Sequence, residues 1–85
     1  MKLNYDCIRD ILLYVENNTT FEKSAIDVES LTESLEDKYD VDTIYYHIQK
    51  IAQTDLVDDV TWSDDAPEYI FSLSWKGHQY LDSIR

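Results

Sequence analysis

Scarce residue types set the first limits on this sequence, which has one glycine, one proline and one cysteine among 85 residues. So little glycine and proline leaves little room for linkers, and residues 1–85 are therefore predicted to form a single domain. The single cysteine, Cys7, excludes an internal disulfide and a multi-cysteine zinc site, and it suits a reducing cytoplasm. The longest apolar run, residues 11–15, is too short to span a membrane, and the N-terminus lacks the pattern of a signal peptide. We therefore expect a cytoplasmic protein.

Basic residues are scarce as well. The chain has 7 Lys and Arg against 18 Asp and Glu, which gives a net charge of −11. Because nucleic acid is itself a polyanion, this charge disfavours it as a partner unless a basic patch survives locally. The composition is 44% hydrophobic and 13% aromatic, which excludes a disordered tail and favours a small core.

Capping residues and apolar spacing predict three helices and a short strand in the first half of the chain. Asn4 is the expected cap of the first helix, and residues 21–26 read as a minor strand. Asp27 caps a second helix, and Asp40 caps a third that runs to about Thr54. Inward-facing positions are predicted to be Ile8, Ile11, Leu12 and Val15, then Val28, Leu31 and Leu35, and then Val41, Ile44, Ile48, Ile51 and Ala52.

The second half predicts a hairpin followed by a last helix. Strand-like runs cover residues 56–62 and 69–73, and residues 63–68 between them have the composition of a turn. Ser74 caps the last helix, whose inner stripe is predicted as Trp75, His78, Leu81 and Ile84. The order of helix, short strand, helix, helix, β-hairpin wing and C-terminal helix predicts an α+β winged helix-turn-helix fold.

Two stretches resemble winged-helix domains directly. Residues 43–57 resemble the end of a recognition helix that runs into the first wing strand, with Asp55 where glycine is usual, so we expect a left-handed backbone there. Residues 73–81, LSWKGHQYL, resemble the LTxxGxxxL segment that closes the wing in many bacterial regulators. The whole chain, and residues 1–13 above all, resembles short YjcQ-like phage and prophage proteins of Gram-positive bacteria. That resemblance implies the fold and a phage setting in a bacterial host cell, and it implies no residue roles.

The sequence offers no catalytic pattern, and we predict that the protein is not an enzyme. His47 and His78 belong to no metalloprotease, deaminase or hydrolase motif, and both are predicted to be partly buried structural residues. Cys7 lies between Asp6 and Asp10, which disfavour a thiolate. The acidic residues of the hairpin lack the spacing of a calcium loop, so no metal and no cofactor is predicted.

A winged helix normally places the outer face of its third helix in the DNA major groove. That face is predicted to carry Asp42, Thr43, Tyr46, Gln49, Lys50 and Gln53. Gln49 suits adenine, and Lys50 suits guanine or phosphate, which keeps a DNA-binding transcription regulator as the alternative function. However, residues 51–75 hold six acidic residues and no Lys or Arg, so like charges would meet at the wing. Residues 27–42, the second helix and its flanks, add seven acidic residues against Lys38 alone.

The favoured hypothesis is therefore an acidic, phage-associated protein that binds a basic, nucleic-acid-binding partner protein by DNA mimicry. An anti-CRISPR or other anti-defence inhibitor is its concrete form. Tyr39, Tyr45 and Tyr46 lie near these carboxylates and suit a protein interface, although some of them are needed for the core. A simple solubilising role for the acidic face stays open, as does a choice between monomer and homodimer. The predicted partner-binding residues are Asp58, Asp59, Asp64, Asp65, Glu68, Asp42, Tyr46, Gln49 and Lys50.

Overall fold

The computed structural model describes residues 1–85 as four helices and one three-stranded sheet. The elements are α1 (Tyr5–Asn18), β1 (Ala25–Asp27), α2 (Val28–Leu35), α3 (Val41–Gln53), β2 (Val60–Ser63), β3 (Ala66–Phe71) and α4 (Trp75–Ile84). The sheet is antiparallel in the order β1-β3-β2, so β3 is its central strand. With α2 and α3 as the helix pair and β2–β3 as the wing, the predicted α+β winged-helix arrangement is confirmed. None of the four helices has the length and apolar character that crossing a bilayer requires.

Every helix begins at a side chain that accepts a hydrogen bond from a backbone N–H in the first turn, which explains why these positions start helices. The hydrogen bonds from Ser30 to Asp27 hold the pKa of that carboxyl below its ordinary value, because they stabilise its charged form. Thr43 lowers the pKa of Asp40 in the same way. The four capping residues are those predicted: Asn4, Asp27, Asp40 and Ser74.

The core confirms most of the predicted apolar stripes of α1, α2 and α3. Eighteen apolar residues form one buried cluster, and Ile11, Leu12, Ile44 and Ile48 are all fully buried. Val41 was wrongly assigned to this core: it is 46% exposed, because it is the first residue of α3 and no neighbouring element covers that end.

The predicted strand at residues 21–26 is real only at its end, where β1 covers Ala25–Asp27. Phe21 is fully exposed instead of lying in a strand. The reason is a local turn: the N–H of Thr20 donates to the carbonyl of Lys23 at 2.8 Å, and the N–H of Lys23 donates to the Thr20 hydroxyl at 3.0 Å. Backbone groups that bond to each other in this way are unavailable for sheet pairing.

The buried face of α4 differs from the predicted one. Leu81 is buried as expected, but Trp75 is 82% exposed and His78 is exposed. The helix packs instead through Gly77, where an added Cβ would lie only 1.8 Å from the carbonyl oxygen of Leu56. Ile84 is partly buried and packs against the core, so the prediction was right at Leu81 and Ile84 and wrong at Trp75 and His78. The apolar pattern missed Gly77, because a glycine that permits close backbone approach carries no hydrophobic signal.

The strands of the wing have other bounds than the sequence predicted. Strand β2 begins at Val60 instead of Leu56, and toward α3 the pairing continues only as backbone hydrogen bonds of Asp58 and Asp59 and an isolated bridge between Val57 and Leu73. A register shift between Thr61 and Trp62 leaves Glu68 of β3 as an extra, unpaired residue. Trp62 is 45% exposed, although it lies two residues from the buried Val60.

Strand β3 begins at Ala66, so the predicted six-residue turn is reduced to Asp64 and Asp65. Both have positive φ, 53° and 66°, as a two-residue hairpin turn requires. The left-handed backbone predicted at Asp55 is confirmed by its φ of 59°. Aspartate tolerates this region better than most residues, which explains how the chain forms its tight turns without glycine.

Candidate functional site

A first groove, here called the wing groove, lies between α3 and the β2–β3 hairpin and has a volume of about 270 Å³. It brings together four of the predicted partner-binding residues, which are Asp42, Tyr46, Gln49 and Asp65. Its other lining residues are Tyr45, Trp62 and Pro67, none of which belonged to the predicted site. The face of α3 that would enter DNA is thus joined to the wing by aromatic side chains and edged by two carboxylates.

A second and larger groove, here called the acidic groove, lies between α2 and the hairpin and has a volume of about 800 Å³. Four carboxylates line it, and no Lys, Arg or His does. Thr32 lies in the same lining, and its hydroxyl is buried without a hydrogen-bond partner. The carboxylates come from three elements and are those of Asp27, Glu29, Glu33 and Glu68.

Of the acidic-groove residues, only Glu68 was in the predicted site. The sequence signal for the others was the excess of acidic residues between positions 27 and 42. This excess predicted negative charge in the α2 region, but it did not predict that these residues form one wall of a groove. Spacing along the chain did not reveal that Glu33 of α2 and Glu68 of β3 line the same depression.

Aromatic side chains occupy the region between the two grooves. Tyr45 and Pro67 line both of them. Trp62 in the wing groove and Tyr69 in the acidic groove are each 45% exposed. Half-exposed aromatic rings surrounded by charged groups are typical of the centre of a protein–protein interface.

Tyr39 does not belong to this surface. Its hydroxyl donates to Asp10 of α1 at 2.8 Å, and its ring packs against the core. Burial, followed by this hydrogen bond, raises the pKa of Tyr39 well above its ordinary value. Of the three tyrosines considered for an interface, Tyr39 is structural, while Tyr45 and Tyr46 line grooves.

The remaining predicted residues lie elsewhere. Asp58 and Asp59 lie at the base of the hairpin, where their backbones pair with Ser72 and Phe71, and they line neither groove. They are about 20 Å of extended chain away from the Asp64–Asp65 tip, so the acidic residues of the wing form two separate groups. Lys50 borders a third, apolar cleft, described below.

Both histidines and the cysteine have positions that bear on the catalytic question. His47 is fully buried; its Nε2 accepts from the N–H of Asn4 at 2.8 Å and its Nδ1 donates to the carbonyl of Thr43 at 2.7 Å. These two hydrogen bonds join α3 to the start of α1, so His47 is a structural residue as predicted, although it is fully and not partly buried. His78 is not a core residue: it lies on the surface, 3.7 Å from a Glu16 carboxylate oxygen. Burial, with a smaller effect of the nearby Asp10, raises the pKa of the Cys7 thiol to about 11. No three His, Cys, Asp or Glu side chains lie close enough together to hold a metal ion.

Comparison with known proteins places the chain in a family. The model of a family described as "Hypothetical protein (DUF2513)" matches residues 2–85. A relative from Haemophilus influenzae, described as "Uncharacterized protein", is 30% identical over 87 residues, which cover 100% of this chain and 69% of the relative. No solved structure matches. Both matches confirm a relation to a protein family without an assigned role, whereas the YjcQ-like identity and the phage setting stay predictions. The chain belongs to the DUF2513 family.

Proposed function

We propose that this protein binds a basic surface of a partner protein through the acidic groove and the wing groove. The observation that carries the proposal is the acidic groove itself, in which four carboxylates and no cation line the same depression as the rings of Tyr45 and Tyr69. A groove of this composition suits Arg and Lys side chains, because carboxylates pair with them and tyrosine and tryptophan rings stack on them.

The position of the grooves gives the proposal its mechanism. The acidic groove lies between α2 and the wing hairpin. The wing groove lies between α3 and the wing, the two elements that a winged helix normally turns toward DNA. Here those elements carry Asp42, Asp65 and Glu68, so they offer negative charge where other winged helices offer positive charge. A cationic DNA-binding channel would meet these carboxylates in place of phosphates.

The resemblance to phage and prophage proteins suggests the kind of partner. An inhibitor that mimics DNA would block a host nucleic-acid-binding enzyme, and an anti-CRISPR protein is the concrete form proposed here. Long-range attraction between the chain, with its net charge of −11, and a basic channel would speed their association, and the rate would fall as salt is added.

Two triple variants test the proposal with equal changes of charge. The groove variant replaces three acidic-groove residues by glutamine: Glu29, Glu33 and Glu68. The control variant replaces three exposed acidic residues outside both grooves by their amides: Glu36, Asp58 and Asp59. Each change lowers the negative charge by three, from −11 to −8, so any difference between the variants reflects position and not net charge.

The wild type and both variants are used to capture partners from host-cell extract, and the captured proteins are identified by mass spectrometry. We expect the wild type to capture a basic nucleic-acid-binding protein, and competing DNA to displace it. The control variant should retain this protein, whereas the groove variant should bind it at least about tenfold more weakly. Equal retention by the two variants, with both folded, would contradict the proposal.

The alternative, a DNA-binding regulator, is supported by one observation: α3 exposes Gln49 and carries Lys50, which forms no ion pair with a carboxylate. Titration with random duplex DNA separates the two functions. Repulsion by the grooves predicts a dissociation constant no better than about 10⁻⁴ M at physiological salt. Sub-micromolar binding to any duplex would favour the regulator and contradict mimicry.

A further inference from the structure

A third depression, here called the apolar cleft, lies where the C-terminal end of α3 meets the start of α1 and the first turns of α4. Its volume is about 330 Å³, and it shares no residue with either groove. Six apolar or aromatic side chains line it: Leu3, Tyr5, Ile8, Ile51, Leu56 and Tyr80. Leu3 and Tyr5 are both exposed, so this apolar surface is open to solvent.

The charge at this cleft is opposite to that of the rest of the molecule. Three of the seven basic residues, Arg9, Lys38 and Arg85, form ion pairs with carboxylates. Lys50 and Lys76 form none, and both line the apolar cleft. No Asp or Glu lines it. In a chain of net charge −11, the cleft is therefore a local site for a negative group.

The Lys50 ammonium is held only by neutral groups. It donates to the Gln53 side-chain oxygen at 3.2 Å and lies 5.0 Å from the centre of the Tyr46 ring. Its flexible four-carbon stem allows it to exchange these neutral contacts for a carboxylate, which forms a stronger, charge-assisted hydrogen bond.

We propose that the apolar cleft binds an amphipathic carboxylate, with an unbranched acyl chain against the apolar lining and the carboxylate between Lys50 and Lys76. The volume lies at the lower end of the range for small-molecule sites, about 300–1,000 Å³, which suits one acyl chain. A mostly apolar lining with a few polar groups that fix orientation is the usual composition of such sites. This site is separate from the grooves, and its ligand does not depend on the function proposed for them.

Titration of the ¹⁵N-labelled protein with sodium decanoate, below its micelle concentration, tests the proposal. We expect saturable shifts at the amides of Ile51 and Leu56. The amides of the acidic groove should stay unchanged, as should those of the wing groove apart from Tyr46, which loses its contact with Lys50. Octanoate should bind about tenfold more weakly because it buries two fewer methylenes. Decanol should bind at least about tenfold more weakly because it lacks the charge. Absence of saturable shifts, shifts confined to the grooves, or equal binding of decanol and decanoate would each overturn the proposal.

Two pairs of variants locate the ligand. Lys76→Met should weaken decanoate binding by about tenfold, the cost of losing one charge-assisted contact, whereas Lys23→Met removes an exposed lysine outside the cleft and should change nothing. Leu3→Asp should abolish binding by placing a carboxylate at the cleft, and Val41→Asp is its control.

These two aliphatic residues are 47% and 46% exposed, and Val41 lies at the opposite end of α3, so both aspartate variants should fold. Thermal melts establish that each variant is folded before titration. Equal losses within either pair of folded variants would overturn the proposal.

Discussion

Replacing Gly77 by alanine should destabilise the protein, although the rule for helix interiors predicts the opposite. Alanine is favoured over glycine inside a helix by about 1 kcal/mol. However, the added methyl group would lie 1.8 Å from the Leu56 carbonyl oxygen and 2.8 Å from its carbonyl carbon. An ordinary contact would require α4 and Leu56 to separate by about 1.5 Å or more.

The surroundings of Leu56 oppose such a shift. Its side chain is buried, its N–H donates to Ile51 at 3.3 Å, and its carbonyl accepts from the N–H of Ser74 at 3.2 Å. Overpacking of this kind costs about 1–3 kcal/mol, and a weakened hydrogen bond adds about 1 kcal/mol. After the gain in helix propensity, we expect Gly77→Ala to lower the free energy of unfolding by about 1–3 kcal/mol.

Urea unfolding followed by far-UV circular dichroism measures this loss. Gln79→Ala is the matched control, because Gln79 is exposed on the same helix and should change stability by no more than about 0.5 kcal/mol. A Gly77→Ala protein as stable as the wild type, or more stable, would refute the close packing of α4 on Leu56.

Three further predictions follow from the core and its edges. Ile48→Ala should cost about 2–5 kcal/mol in urea unfolding, because Ile48 is fully buried, and a loss below about 1 kcal/mol would contradict that packing. Cys7 is fully buried, and its pKa is raised to about 11. It should therefore react with a thiol reagent at pH 8 only after denaturation, and rapid reaction of the native chain would show that the thiol is accessible. Arg85→Ala should slightly lower the urea midpoint of unfolding at pH 7, because Arg85 donates to Glu16 at 2.8 Å. That hydrogen bond holds the pKa of Glu16 below its ordinary 4.5. The stabilisation by Arg85 should therefore be complete above pH 4.5 and be lost as the pH falls further. A stability difference between wild type and Arg85→Ala that persists unchanged in acid would refute the pairing.

Counting charges along the sequence predicts which segments are acidic, but it does not predict which carboxylates lie together in the folded protein. The sequence alone indicated that the wing and the α2 region are acidic and that Asp42, Tyr46 and Gln49 lie on the outer face of α3. It did not indicate which carboxylates share a groove. Residues 58–59 and 64–65 are close in sequence, yet a β-hairpin holds them at opposite ends, because extended chain separates residues faster than any other conformation.

The sequence by itself determined the features that depend on local rules. Helix caps act within three residues, so Asn4, Asp27, Asp40 and Ser74 marked the four helix starts correctly. The 3.6-residue period located the buried faces of α1, α2 and α3, and the tolerance of aspartate for left-handed backbone anticipated Asp55.

Only the tertiary structure decided the features that depend on contacts between distant segments. The packing of the hairpin beside α3 placed Trp62 in the wing groove with Tyr45 and Tyr46. Close approach of Gly77 to Leu56 set the buried face of α4, and the packing of α2 beside β3 brought Glu33 and Glu68 to the same groove. Strand register and backbone approach are set by the partner segment, and that information does not reside in the periodicity of either segment alone.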